Sequence, residues 1–303
     1  MSRAKYIEEA RHALVNDLVQ RRVIRTPAVE RAFRCVARHG FVPSPCLLST
    51  DPLLTEFEET DDPRRIYSDH AALTAAAQIC CYAPSLVAAQ VEQLSAGDGM
   101  RVLHVATGAG YCTAILAELV GERGTVVGVE STDDLAELSA GLVARAGYTT
   151  VTIRQGDGVL GVPEAAPFDR ILVSAGVTDI APAWVLQLAD EGKLVLPLCP
   201  GGPIGGGVSG GTLLTIQKNA ETLWGQFSTV AFFAPLPGAL TPAAEGNETL
   251  ADGLARWLAL EEFLRSDLAI RIVLKPTSTR TPTSSSVPWL LETKNAVMWI
   301  EPS

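Results

Sequence analysis

The sequence predicts an α/β fold built on a mostly parallel sheet, and three observations carry that prediction. Between residues 101 and 197, short β-branched runs alternate with helical stretches, the pattern left by parallel strands joined through crossover helices. One strand-to-helix turn, Val105-Ala106-Thr107-Gly108-Ala109-Gly110-Tyr111, is rich in glycine. Acids then close the next two strands, Glu130 at the end of one and Asp157 just after the other. Ligands of open α/β sheets bind at that edge, so the pattern is Rossmann-like and points to a nucleotide-type ligand.

Taken in order, the chain opens with two helices through about Arg38. Ala10, Leu14 and Leu18, then Val29, Phe33 and Val36, recur at helical spacing, and Thr26-Pro27 starts the second helix. From Pro43 to Asp62 prolines and acids dominate and periodicity fades, which predicts a loop-rich connector. Residues 1–65 thus read as a helical cap with its connector. A helix follows from Pro84 to Leu94. Strands are predicted at Arg101–Val105, Thr125–Glu130, Val151–Arg154, Asp169–Val173 and Lys193–Pro197, with helices at Tyr111–Leu119 and Asp134–Ala146. After a glycine-rich loop between Gly201 and Gly211, Thr212–Ile216 and Phe227–Phe233 are further strand candidates, and the core is assigned to residues 66–238. Residues 239–303 read as a small α/β appendage: a helix at Leu250–Leu264, a strand at Ala269–Leu274, a Thr/Ser/Pro-rich loop and a final run at Ala296–Ile300.

With 303 residues, 47% of them hydrophobic, the chain is long and apolar enough for one large core with additions. Its net charge of −10 argues against a nucleic-acid partner, because phosphate binding needs a concentrated basic surface. The opening Met1–Glu9 stretch lacks the apolar run of a signal peptide, and no long apolar span follows, so no membrane partner and a cytoplasmic location are expected. The cysteines, Cys35, Cys46, Cys80, Cys81, Cys112 and Cys199, lack CxxC spacing, which predicts reduced, mostly buried thiols and no metal site. Nothing in the pattern specifies an oligomeric state.

Glycine in the turn lets the backbone bend tightly and approach a ligand, while the following helix N-terminus favours negative charge. An acid at Glu130 can accept both hydroxyls of a ribose, and Asp157, in Gln155-Gly156-Asp157-Gly158, can accept from the exocyclic amine of adenine. Each feature alone also fits a packing glycine or a solvated loop acid. The turn lacks the full GxGxxG spacing, since Thr113 and Ala114 stand where the last glycine belongs, and adenosylmethionine is therefore favoured over a dinucleotide.

Arg101 to Tyr111, Gly156-Asp157-Gly158 and Pro167-Phe168-Asp169-Arg170-Ile171-Leu172-Val173-Ser174-Ala175 resemble the protein-L-isoaspartate O-methyltransferase family in order and spacing. The resemblance extends to Val23-Ile24-Arg25-Thr26-Pro27, to Arg38-His39-Gly40-Phe41-Val42-Pro43, and onward to about Gly238. It implies a class I methyltransferase fold with S-adenosyl-L-methionine as cofactor. The cofactor positions it implies are His104, Ala106, Thr107, Gly108, Gly110, Glu130, Ser131, Asp157 and Gly158. It further implies O-methylation of an aspartyl or isoaspartyl carboxylate in a peptide or protein.

The chain departs from that family at several places. His104 stands where the family has an acid that orients the methionine ammonium group, and Ala106 where it has glycine. Upstream, Tyr82 falls on the family's active-site serine and Cys80 on the threonine before it. The appendage, with Arg256-Trp257-Leu258-Ala259-Leu260, is similar to relatives that methylate carboxylates in ribosomally made peptides. A specialised peptide substrate, rather than general protein repair, is the expectation, with the appendage either binding that peptide or covering the sheet edge.

A carboxylate acceptor, with a pKa of about 4, is already a nucleophile at neutral pH, so no strong base is required. Tyr82, Thr74 and Ser174 are then positioning candidates in the catalytic site. Two rival readings remain: a small-molecule hydroxyl or carboxyl acceptor, the hydroxyl deprotonated by His70, His104 or Tyr82, and an inactive binding protein with the same fold.

Overall fold

A computed structural model describes residues 3–42, 45–51, 55–73, 80–199, 209–219, 222–236, 269–274, 289–292 and 297–300. The chain divides into two compact units, Met1–Gly156 and Asp157–Ser303.

In the first unit, α1 (Arg3–Gln20) turns Leu14, Val15 and Leu18 inward. Helix α2 (Pro27–Cys35) begins where the sequence predicts: Thr26 caps it by accepting from the Val29 amide at 3.4 Å, and Pro27 occupies its first position, where no amide is needed. The buried carboxylate of Glu92 reinforces that start, accepting from the amides of Arg25 at 2.7 Å and Thr26 at 2.8 Å. A single 3₁₀ turn, Arg38–Gly40, follows.

The expected loop-rich connector contains instead a short antiparallel pair, β1 (Cys46–Ser49) and β2 (Phe57–Thr60), in register from Cys46 opposite Thr60 to Ser49 opposite Phe57. Four-residue strands are too short to show a clear alternation against the surrounding prolines and acids, which is why periodicity missed them. Asp51, which follows β1, accepts from the amides of Thr55 at 2.9 Å and Glu56 at 2.8 Å, just before β2. The short helix α3 (Pro63–Ile66) leads to β3 (Ala72–Leu73) and β4 (Cys80–Cys81), which complete a small sheet in the order β2-β1-β3-β4.

After α4 (Pro84–Leu94) come β5 (Arg101–Val105), α5 (Tyr111–Val120), β6 (Thr125–Glu130), α6 (Asp133–Arg145) and β7 (Val151–Gln155). The three strands lie side by side and parallel, β5 beside β6 and β6 beside β7. Val102, Leu103 and Val105 are wholly buried, as expected of a strand covered on both faces, and each contributes about 2 kcal/mol of apolar burial. Parallel pairing brings the carboxyl ends of β5, β6 and β7 to one edge of this unit. The Ala106 amide donates to Val129 O at 3.0 Å and the Gly156 amide to Glu130 O at 2.8 Å, so the loops after these strands start together.

In the second unit, β8 (Phe168–Val173) runs parallel to β9 (Leu188–Leu198), with α7 (Pro182–Gln187) between them in the chain. An antiparallel ladder continues in chain order through β10 (Ser209–Asn219), β11 (Thr222–Phe233), β12 (Ala269–Leu274), β13 (Trp289–Glu292) and β14 (Val297–Ile300). Strand β9 starts five residues before the sequence suggests. The turn-like Asp190-Glu191-Gly192 is absorbed as an irregularity, with Phe168 opposite Leu188 but Arg170 opposite Lys193, and Glu191 takes a φ of 60°. Trp184 anchors α7, wholly buried, its indole N–H donating to Gly158 O at 2.8 Å. The predicted helix at 250–264 and the Thr/Ser/Pro-rich loop of the appendage lie outside the described residues, as does the glycine loop as far as Val208.

The architecture is α/β and Rossmann-like, as predicted. Cys46, Cys81, Cys112 and Cys199 are buried free thiols, and Cys35 is exposed. Among the described residues no helix is long and apolar enough to cross a membrane.

Candidate functional site

The strand-end turn after β5 is built by backbone conformation. Ala106, Gly108 and Gly110 take positive φ values of 62°, 56° and 86°, so the chain reverses within a few residues and delivers Tyr111 into the first turn of α5. The Gly110 amide closes the turn on Thr107 O at 3.0 Å. Two glycines meet this demand without strain, whereas alanine at position 106 holds a conformation that costs an L-residue roughly 1–2 kcal/mol. Ala106→Gly is therefore expected to raise the unfolding free energy by about 1 kcal/mol, read as a higher urea midpoint; a lower midpoint would show that Ala106 is not strained.

Glu130, at the end of β6, is buried and turned onto this loop. Its Oε1 accepts from the Gly108 amide at 2.6 Å and from the Thr107 hydroxyl at 3.3 Å, and its Oε2 accepts from the Ser131 amide at 3.2 Å. Thr107 Oγ1 lies 3.1 Å from Ser139 Oγ of α6, tying the same turn to the next helix. Burial pushes the Glu130 carboxyl up, against the hydrogen bonds from Gly108, Ser131 and Thr107 that pull it down. Oε2 carries a single one of these bonds, so it keeps acceptor capacity of the kind a pair of ribose hydroxyls requires. Gln155 joins the cluster through its side-chain amide, which donates to Ser131 O at 3.2 Å.

His104 sits within β5, wholly buried, with Nδ1 2.8 Å from Thr113 Oγ1 on α5. Burial drives its pKa down to about 3, so the ring is neutral at physiological pH. It provides polarity, but not the full negative charge of an acid. An unfolded histidine titrates near 6.5. Stability from keeping His104 neutral is thus fully present above about pH 6.5 and is lost as pH falls towards 3. The wild-type unfolding free energy is expected to drop over that window more steeply than that of His104→Gln, in parallel urea titrations; identical slopes would place the histidine in a solvated setting.

In the second unit Asp157 is exposed and forms a tight turn, its Oδ1 accepting from the Val159 amide at 2.9 Å. Gly158 is buried under Trp184. Ser174, directly after β8, is buried as well.

On the acceptor side, Tyr82 follows β4 and is half-buried, its carbonyl accepting from Arg38. Thr74 lies outside the described residues. His70 Nδ1 is 2.8 Å from Ser68 Oγ, and its neighbour Asp69 instead binds Arg21 at 2.8 Å and accepts from the Ser85 amide at 2.8 Å, at the start of α4. Asp69 and His70 are thus engaged with different partners.

Sequence reasoning did not single out Thr113, Ser139 or Arg38. The first two are ordinary helix residues whose role appears only when α5 and α6 bring them to β5 and to the turn. Arg38 belongs to a family-like segment, which was the available signal.

Comparison with known proteins shows the family and the fold. The sequence model of the Protein-L-isoaspartate(D-aspartate) O-methyltransferase family matches residues 9–204. The chain is 34% identical over 235 residues to a protein-L-isoaspartate O-methyltransferase of Roseiflexus sp. (strain RS-1), covering 78% of this chain and 95% of that protein. It is 34% identical over 226 residues to one from Pyrobaculum neutrophilum, covering 74% and 98%. Among solved structures, a protein-L-isoaspartate O-methyltransferase shares the fold with a TM-score of 0.59 and 23% identity, covering 96% of this chain and 85% of that one. A Plasmodium falciparum structure described as such an enzyme, in complex with S-adenosyl-L-homocysteine, also aligns with a TM-score of 0.59 at 20% identity, covering 74% and 96%.

Proposed function

Because the chain belongs to the protein-L-isoaspartate(D-aspartate) O-methyltransferase family, we propose that it transfers a methyl group from S-adenosylmethionine to an aspartyl or isoaspartyl carboxylate of a peptide or protein. It is an S-adenosylmethionine-dependent O-methyltransferase. The observation that carries the reading is the buried Glu130 carboxylate at the strand end, bonded to the Gly108 amide of the turn.

The residues present fit the cofactor. The turn reverses the chain at the strand end with Ala106 and Gly108 part-exposed, Glu130 and Ser131 suit the ribose hydroxyls, and His104, wholly buried, sets its neutral ring against Thr113 of α5. Asp157 and Gly158 are assigned to the adenine on the strength of their sequence motif. When bound, S-adenosylmethionine supplies a methyl group on a sulfonium, open to in-line displacement. An ionised carboxylate needs no base, so Tyr82, Thr74 and Ser174 are assigned to orienting the acceptor and excluding water, effects equivalent to concentrations on the order of 10⁵ M. A hydroxyl acceptor would need proton removal, and a histidine held at about 3 is a poor base at neutral pH.

The substitutions at Tyr82, His104 and Ala106 favour a specialised peptide over general repair of damaged protein. The appendage, residues 239–303, is the candidate element for binding that peptide, and the enzyme is assigned to the cytoplasm. Calorimetric titration of the full chain with S-adenosylmethionine tests the reading. Saturable binding with turnover is expected, no heat at millimolar cofactor would contradict it, and binding without any turnover would favour a binding protein.

A further inference from the structure

Arg38 is a wholly buried cation in the 3₁₀ turn after α2, with no carboxylate within ion-pairing distance among the described residues. Besides its interaction with the Cys81 thiol of β4, its guanidinium donates to backbone. Nη1 donates to Ser68 O at 2.9 Å, and Nη2 donates to His70 O at 2.7 Å and to Tyr82 O at 3.4 Å, while Nε has no partner. Those carbonyls lie on either side of one structural element. Ser68 and His70 precede β3, Tyr82 follows β4, and the two strands pair antiparallel with Ala72 opposite Cys81 and Leu73 opposite Cys80. The same guanidinium lies over the Tyr111 ring, 5.9 Å from its centroid, and Tyr111 is the residue directly after the Gly110 turn.

A buried cation without a carboxylate carries a large desolvation cost, and an apolar side chain of similar volume would fill the space at lower cost. What an apolar residue cannot do is bridge three carbonyls from two segments, and lysine, a point charge, cannot span them either. We propose that Arg38 is a positioning residue for methyl transfer, fixing the backbone around Tyr82 relative to the turn that precedes Tyr111. The proposal rests on the assignment of Tyr82 to the acceptor side made above. Arg38 itself touches neither acceptor nor cofactor; it sets the distance between the elements that hold them.

The test compares the full-length wild type with Arg38→Lys. Losing hydrogen bonds from a charged donor is expected to speed amide hydrogen exchange in peptides covering 68–73 and 80–83 by roughly 10- to 100-fold, with exchange across 101–130 unchanged. With a synthetic isoaspartyl peptide as acceptor, kcat should fall and the peptide KM should rise, while the KM for S-adenosylmethionine stays constant. If Arg38→Lys does not fold, Tyr111→Leu removes the ring face under the guanidinium and should give the same local increase in exchange. Unchanged exchange beside β3 and β4, or loss of protection spread equally over β5 and β6, would overturn the proposal. Failure of the wild type to methylate the peptide would count against the acceptor assignment alone, because the exchange comparison decides the role of Arg38 without turnover.

Discussion

Glu130→Ala is expected to weaken S-adenosylmethionine binding by on the order of 100-fold, since each hydrogen bond to a charged group is worth about 1.5–3 kcal/mol. The carboxylate has two tasks. On the function proposed above it offers acceptor oxygens to the ribose, and in the structure it holds the turn through the Gly108 amide at 2.6 Å and the Thr107 hydroxyl at 3.3 Å. Alanine removes both, leaving buried donors without their acceptor. Glu130→Gln keeps an acceptor but loses the charge, and should cost roughly 10-fold, consistent with the difference between charged and neutral hydrogen bonds. Because burial raises the Glu130 carboxyl above the ordinary glutamate range, cofactor affinity should fall on acidification earlier than an exposed carboxylate would cause, and the Gln variant should lack that step. Calorimetric titrations at several pH values measure all three effects; equal affinity for Glu130→Ala would remove the residue from the site.

Gly110→Ala is expected to destabilise the fold by roughly 2–5 kcal/mol, combining the left-handed backbone penalty with overpacking. The φ of 86° already disfavours any side chain. An added Cβ would also lie 2.7 Å from Val143 Cγ2 and 3.0 Å from Ser139 Oγ, both on α6. Ser139 is the partner of Thr107, so relieving the clash disturbs the turn that Glu130 organises, and cofactor affinity should decline together with stability. Urea denaturation followed by circular dichroism reads the first effect, and an unchanged midpoint would show that the turn can relax without loss.

Much of the core was legible because its signals are local. Strands β5 and β6 have the predicted ends, and α6 lies within one residue at each end, bounded by the Thr132 cap, whose hydroxyl accepts from Leu135, and by Arg145 in the last turn. That Glu130 and the glycine turn lie together was legible because both adjoin strands with continuous apolar runs. What stayed hidden depends on partners distant in sequence. Strands β1 and β2 are recognisable only through each other, and β9 runs through Asp190-Glu191-Gly192 because β8 pairs on both sides of the irregularity. The bonds from Thr107 to Glu130 and Ser139 span more than twenty residues each, and no spacing rule encodes them. His104 shows the same limit: its identity announced a departure from the family, but its neutral state follows from complete burial beside Thr113.

The most direct test of the account is the chemistry of the product. Incubated with S-adenosylmethionine and an isoaspartyl peptide, the enzyme should add the mass of one methylene group to the peptide, and mild base should remove it, as expected of a methyl ester. A methylated product that survives base would contradict carboxylate methylation.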